Sequence, residues 1–186
     1  MFVKEAHSPK NISWHQNLTH WGLDDAEEVT FWVTISEAPV EAGCMKFVPG
    51  SHKQRIVAHI DTFSENNLLS HGQEISVNVR EADAVHAALK VGQASMHHEH
   101  LFHASDPNTA YDRCMGTAIR CIKLAMRQED GIKSLVALVA GQDDYGHFEL
   151  AAPPKGRLHL DDFEICRQDA KRKDAILFKG SDASKM

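Results

Sequence analysis

Residues 29–35 constrain the fold more than any other stretch of the chain. Val29, Phe31, Val33 and Ile35 alternate with Thr30, Trp32 and Thr34. Period-two alternation of β-branched and aromatic residues is the pattern of a half-buried strand. Trp21-Gly22-Leu23-Asp24-Asp25 precedes it as a loop, and Pro39 and Gly43 follow it as a turn. A short strand is then expected over 44–48, ended by Pro49-Gly50-Ser51-His52. Further short strands are expected over 74–79, 85–91, 93–98 and 116–124, with Gly92 turning a tight hairpin between the second and third. Many short strands and few helices predict a mainly β protein, an antiparallel barrel or jelly roll.

The tail changes character. Leu160, Phe163, Ile165, Ala170 and Ile176 are spaced as on a helix running over 160–178, with Asp161 or Asp162 as its N-cap and Gly180 beyond its end. Pro153-Pro154 separates this helix from the preceding segment, and no repeat, low-complexity tract or linker interrupts the chain. A single domain over 1–186 is therefore expected, long enough to bury a real core.

A net charge of −6 argues against a nucleic-acid partner, because phosphate binding needs a basic surface. The one dense basic run, Lys171-Arg172-Lys173, reads as a solvated helix face. No stretch approaches the roughly 18–20 apolar residues that span a bilayer, so no membrane partner is expected. The first residues lack a signal-peptide core, and Asn11-Ile12-Ser13 carries no weight as a glycosylation sequon without one. Cys44, Cys114, Cys121 and Cys166 show no paired spacing, which suits reduced thiols and a cytoplasmic location. The outlying count is histidine, 13 in all, four of them within 97–103. Imidazole is the commonest metal ligand and a costly core filler.

Three segments carry the chemistry: Trp14-His15-Gln16-Asn17, the run from Gly43-Cys44 to Pro49-Gly50-Ser51-His52, and His103-Ala104-Ser105-Asp106-Pro107-Asn108. Singly each is weak, since His-x-Asn is more often ordinary polar pairing and Pro-Gly-Ser-His alone is a turn. In this order, with Trp21-Gly22-Leu23-Asp24 between the first two, they resemble the phytanoyl-CoA dioxygenase family. That family's first segment reads Trp-His-Gln-Asp, and its third continues to an arginine some ten residues on. The resemblance extends to Tyr145-Gly146-His147-Phe148 and to Phe2-Val3-Lys4-Glu5-Ala6, which is similar to a strand that relatives reach only after a sizeable N-terminal region. A chain starting there is expected to lack helices that back the barrel and to expose apolar surface.

The resemblance implies a double-stranded β-helix, the cupin-like jelly roll, with a C-terminal helix. It also implies Fe(II) and 2-oxoglutarate as cofactor and cosubstrate, and a small-molecule substrate that is hydroxylated with release of succinate and CO2. Two histidines and a carboxylate on one octahedral face leave three positions open for the keto acid and O2. Matched residue by residue, His15 and His103 are the histidine ligands and Asn17 stands at the carboxylate position. Trp32, Ser105 and Arg113 match positions that bind the cosubstrate, although alignment on Gly116 and Arg120 sets the family arginine nearer Cys114.

Asn17 leaves three readings open: weak iron binding, a degenerate copy acting at most as a small-molecule-binding barrel, or a charge supplied by Glu99 or another acid. Halogenase relatives carry a small residue there to admit halide, and Asn fills that space. A zinc site from His97, His100 and His103 would need helical spacing. On one continuous strand, His97, Glu99, Leu101 and His103 would share a face, with His98 and His100 on the other. His52 reads as a brace for its turn and His20 as a pocket wall. Residues 56–80 are expected to cover the pocket mouth.

Overall fold

The computed structural model describes residues 1–17, 21–128 and 131–177. The chain divides into two compact units, Met1–Thr19 with Glu28–Cys121, and His20–Glu27 with Ile122–Met186. His20 and Gly180 lie outside the described residues.

The first unit holds β1 (Phe2–Lys4), β2 (Ile12–His15), β3 (Glu28–Thr34), β4 (Met45–Phe47), β5 (His59–Asp61), β6 (Gln73–Ile75), β7 (Val85–His86), β8 (Ala94–His98), β9 (His103–Ser105) and most of β10 (Cys114–Ile122). Two four-stranded sheets run in the orders β1-β10-β3-β8 and β2-β9-β4-β7, with β5-β6 as a separate pair. Apart from the step through β5 and β6, successive strands alternate between the two sheets. Every strand pair with a full register here is antiparallel. This is the mainly β, jelly-roll architecture that the strand pattern predicts.

That alternation corrects one expectation. Gly92 does turn the chain, with φ +80, but β7 pairs with β4 and β8 pairs with β3. The turn is a crossover between sheets and not a hairpin. The strand expected over 85–91 correspondingly shrinks to two residues, paired with the three-residue β4 at the edge of its own sheet.

The run 97–103 is likewise not one strand. It breaks at Glu99, so β8 and β9 belong to different sheets. The break sorts the histidines by position: His97 and His103 are buried, while exposed His98 and half-buried His100 meet as tilted rings with centroids 5.1 Å apart.

β3 confirms the predicted alternation, and its buried face is the polar one. Glu28, Thr30 and Thr34 are buried, whereas Val29, Phe31 and Val33 are only half-buried and Ile35 is exposed. The interior it faces holds His97, Glu99, Asn17 and His103, and Thr30 finds hydrogen-bond partners there in Asn17 and Glu99 that a purely apolar core would deny it.

The second unit contains a short parallel pair, β11 (Leu135–Val136) with β12 (Glu149–Leu150), and the helix α1 (Leu160–Leu177). Since α1 starts at Leu160, Asp161 and Asp162 fall in its first turn and not at the cap, where their charge still suits the helix dipole. Buried Asp169 anchors the helix by accepting the Leu135 N–H at 2.8 Å. The predicted apolar stripe is not the buried face: Leu160, Phe163 and Ile165 are exposed. Within the basic run, Lys171 and Lys173 are exposed as expected, while Arg172 braces the Lys133 carbonyl and Glu149.

Gly116 shows how closely β10 and β3 approach. A Cβ there would lie 2.3 Å from the Trp32 indole. Gly116→Ala is therefore expected to displace Trp32 and lower stability by about 1–3 kcal/mol, measured by urea unfolding, with a shifted tryptophan emission maximum.

Candidate active site

The site is built from the register of β2 on β9, which sets His15 directly opposite His103. Their imidazole centroids lie 4.0 Å apart. Each ring is pinned the same way: His15 Nδ1 is 2.9 Å from the Ser13 carbonyl and His103 Nδ1 is 2.8 Å from the Leu101 carbonyl. A carbonyl can only accept, so each Nδ1 carries the proton and each Nε2 keeps its lone pair.

Burial, reinforced by the neighbouring imidazoles, holds His15 well below the usual histidine range and His103 down to about 3. Both rings are thus neutral and ready as ligands. Ser51 supports the arrangement from the Pro-Gly-Ser-His turn, its hydroxyl accepting the Phe102 N–H at 2.8 Å. Gln16, between the two matched positions, ties the segment to the chain ahead of β5 by accepting the Val57 N–H and to the loop before β9 by donating to the His100 carbonyl.

Asn17, two residues beyond His15, is also buried, and its side chain is engaged with Thr30. Its Nδ2 donates to Thr30 Oγ1 at 3.3 Å, and that hydroxyl donates to Glu99 Oε1 at 2.9 Å. Glu99 is fully buried and stands close to Glu28, with Arg120 beside them. Burial and the neighbouring carboxylate push Glu28 up to about 8, and burial also raises Glu99. The pair therefore retains a proton at neutral pH.

A second group of residues lines a mostly apolar cavity, among them Trp32, Ser105, Cys44, Cys114 and Lys4. Lys4 is the residue that the sequence pattern did not single out. It is buried, its ammonium donates to the Gly43 carbonyl at 3.1 Å, and it also contacts Ser105 Oγ and the Asp106 carbonyl. Desolvation lowers its pKa to about 8.

Asn108, the last residue of the third motif, fixes this strand by donating to the carbonyls of Lys4, Glu5 and Asp112. Gly43 must lack a side chain, because with φ +68 a Cβ would sit 2.1 Å from the Asp106 carbonyl and 2.8 Å from Lys4 Nζ. Trp32 and Ser105 are brought to the cavity; Arg113 is not. It lies half-exposed at the surface, 3.5 Å from Glu5, and Cys114 takes the inward position. A lysine in an otherwise apolar three-residue strand was the available signal for Lys4.

The donor set suits a divalent metal in two of its three parts. His15 and His103 offer paired, unprotonated Nε2 atoms, whereas Asn17 offers no anion. Among the described residues, no three His, Cys, Asp or Glu side chains are already arranged to hold a metal ion.

An eight-strand jelly roll with two buried histidines on facing strand ends defines the class of cupin-like non-haem oxygenase folds. The chain belongs to the phytanoyl-CoA dioxygenase (PhyH) family, whose model matches residues 1–114. It is 30% identical over 103 residues to a phytanoyl-CoA dioxygenase domain-containing protein 1 homolog of Caenorhabditis elegans, covering 52% of this chain and 35% of the relative. Among solved structures it is similar to the apo form of the non-haem monooxygenase ThoJ, with a TM-score of 0.83, 27% identity, and coverage of 96% of this chain and 64% of that one. A more distant likeness, showing the fold alone, is EvdO2 of Micromonospora carbonacea var. aurantiaca complexed with 2-oxoglutarate, with a TM-score of 0.54, 23% identity and coverage of 63% and 47%. The chain thus spans about a third of the curated relative and under two thirds of these structures.

The Glu28 proton has a measurable consequence. A carboxyl whose folded pKa lies above its unfolded one binds more protons when folded, so it contributes less stability as pH rises from about 4.5 to about 8. Glu28→Gln is expected to gain stability relative to the wild type across that window, read as the difference in denaturation midpoint at pH 5 and pH 8.

Proposed function

We propose that this chain forms the catalytic barrel of an Fe(II)- and 2-oxoglutarate-dependent dioxygenase that hydroxylates a small organic substrate. The observation that carries the reading is the pairing of two buried, neutral histidines 4.0 Å apart, each with Nδ1 committed to a backbone carbonyl. In this reading His15 and His103 hold the iron, with Asn17 beside it at the family's carboxylate position. Iron with the keto acid supplies the oxidising chemistry, activating O2 and oxidising a C–H bond as 2-oxoglutarate becomes succinate and CO2.

The residues of the chain bind, orient and exclude water. Lys4 is the buried cation that pairs with a cosubstrate carboxylate by giving up one of its contacts to Gly43, Ser105 or Asp106, Ser105 offers a hydroxyl beside it, and Trp32 forms the wall. Arg113 takes that role only by leaving Glu5. The apolar lining keeps the cosubstrate dry, which strengthens the Lys4 pairing. The segment over 56–80, through β5 and β6, packs on β2 and contributes Leu68 to the cavity. It is the place where substrate specificity would be set. No helix among the described residues is long and apolar enough to cross a membrane, and a cytoplasmic setting agrees with four unpaired thiols.

Anaerobic addition of Fe(II) and 2-oxoglutarate is expected to give a weak visible charge-transfer band that His103→Ala abolishes. No band in the wild type, with one appearing in Asn17→Asp, identifies an impaired site. Losing a charge-assisted hydrogen bond costs about 1.5–3 kcal/mol, so Lys4→Met should weaken 2-oxoglutarate binding about tenfold or more in an equilibrium titration of that band. Wild-type affinity should also fall as pH rises past about 8, where Lys4 loses its charge.

A further inference from the structure

We propose that His97 is a third imidazole ligand, so that this site holds its metal through His15, His103 and His97 with no carboxylate. The inference rests on the metal-centre reading above and alters its ligand set. β8 lies in the sheet opposite β9, yet it brings the His97 ring centroid to 4.8 Å from that of His103. The three rings thus form one group, drawn from both sheets, with Phe47 packed 5.2 Å from His97 as an apolar wall.

His97 is only 5% exposed, and among the described residues neither of its ring nitrogens has a hydrogen-bond partner. An orphaned buried polar group costs about 1–3 kcal/mol. A histidine that merely filled the core would be expected to satisfy at least one nitrogen, as His15, His103 and His59 do. A metal ion beside His103 would remove that cost.

Asn17 fits the complementary role. Its amide nitrogen is held by Thr30, whose hydroxyl is held by Glu99, and its backbone N–H is bonded to the Glu99 carbonyl. It is anchored to the buried carboxyl pair and brings no charge to the rings. Closing the three rings on one ion requires His97 to turn about its side-chain torsions, and no hydrogen bond from a described residue opposes that turn. Three neutral imidazoles leave the full charge on a dication. Such a set favours metals that prefer nitrogen donors and the binding of an anionic keto acid.

The test uses the full chain titrated with Co(II), read by calorimetry and visible absorption, with circular dichroism of each variant. His97→Gln is expected to lower Co(II) affinity about 30-fold or more, while His98→Gln, at the exposed neighbouring imidazole, changes it less than threefold. X-ray absorption of the Co(II)-loaded wild type, which needs no variant, should count three imidazoles. Binding that is lost in His103→Ala but unchanged in His97→Gln, with two imidazoles counted, overturns the three-histidine set and leaves the metal centre standing. No Co(II) binding by the wild type overturns both.

Discussion

The antiparallel register of β2 on β9 is the constraint on which the rest of the site depends. It sets His15 opposite His103, and a slip of one strand by one residue would turn its imidazole to the other face of the sheet and part the pair. The backbone then fixes the rings as well as the strands, because each Nδ1 bonds a carbonyl two residues upstream. The same local device positions both rings although they are 88 residues apart in sequence. Ser51 and Asn108 hold the two ends of the arrangement, one behind Phe102 and the other behind Lys4.

An interior built this way is polar, and that explains features that otherwise look misplaced. The buried side of β3 presents Glu28, Thr30 and Thr34 while its valines are less covered. Glu28 and Glu99 share a confined space in which both cannot readily ionise, with Arg120 supplying compensating charge. Buried polar groups cost stability unless paired. The Asn17–Thr30–Glu99 chain pairs some of these groups, whereas both Glu28 oxygens, Glu99 Oε2 and both His97 nitrogens have no hydrogen-bond partner among the described residues. Where the family pattern has a carboxylate at position 17, an amide here joins a network that already contains two buried acids.

The cavity beside Trp32 and Ser105 shows a similar exchange of roles. Cys114 occupies the inward position near which the family pattern sets an arginine, and Arg113 is drawn to Glu5 at the surface. The buried cation on that wall is Lys4, reached from the other end of the chain through β1 on β10.

How much of this was legible follows from the range of each interaction. Period-two alternation, the Gly92 and Pro49-Gly50 turns, the tail helix and the three histidine-bearing motifs are local, so residues 29–35, 160–177 and His15 or His103 could be read directly. Which sheet each strand joins is not local. The hairpin expected at Gly92 is a crossover, and the histidine run breaks at Glu99, because strand pairing is decided by partners up to about a hundred residues away. The sequence by itself determined the jelly-roll class and the two opposed histidines. Only the tertiary structure decided that Lys4 and not Arg113 enters the cavity, that Asn17 turns to Thr30, and that His97 comes across from the opposite sheet. These depend on which side chains meet in a closed interior, and no periodicity encodes that.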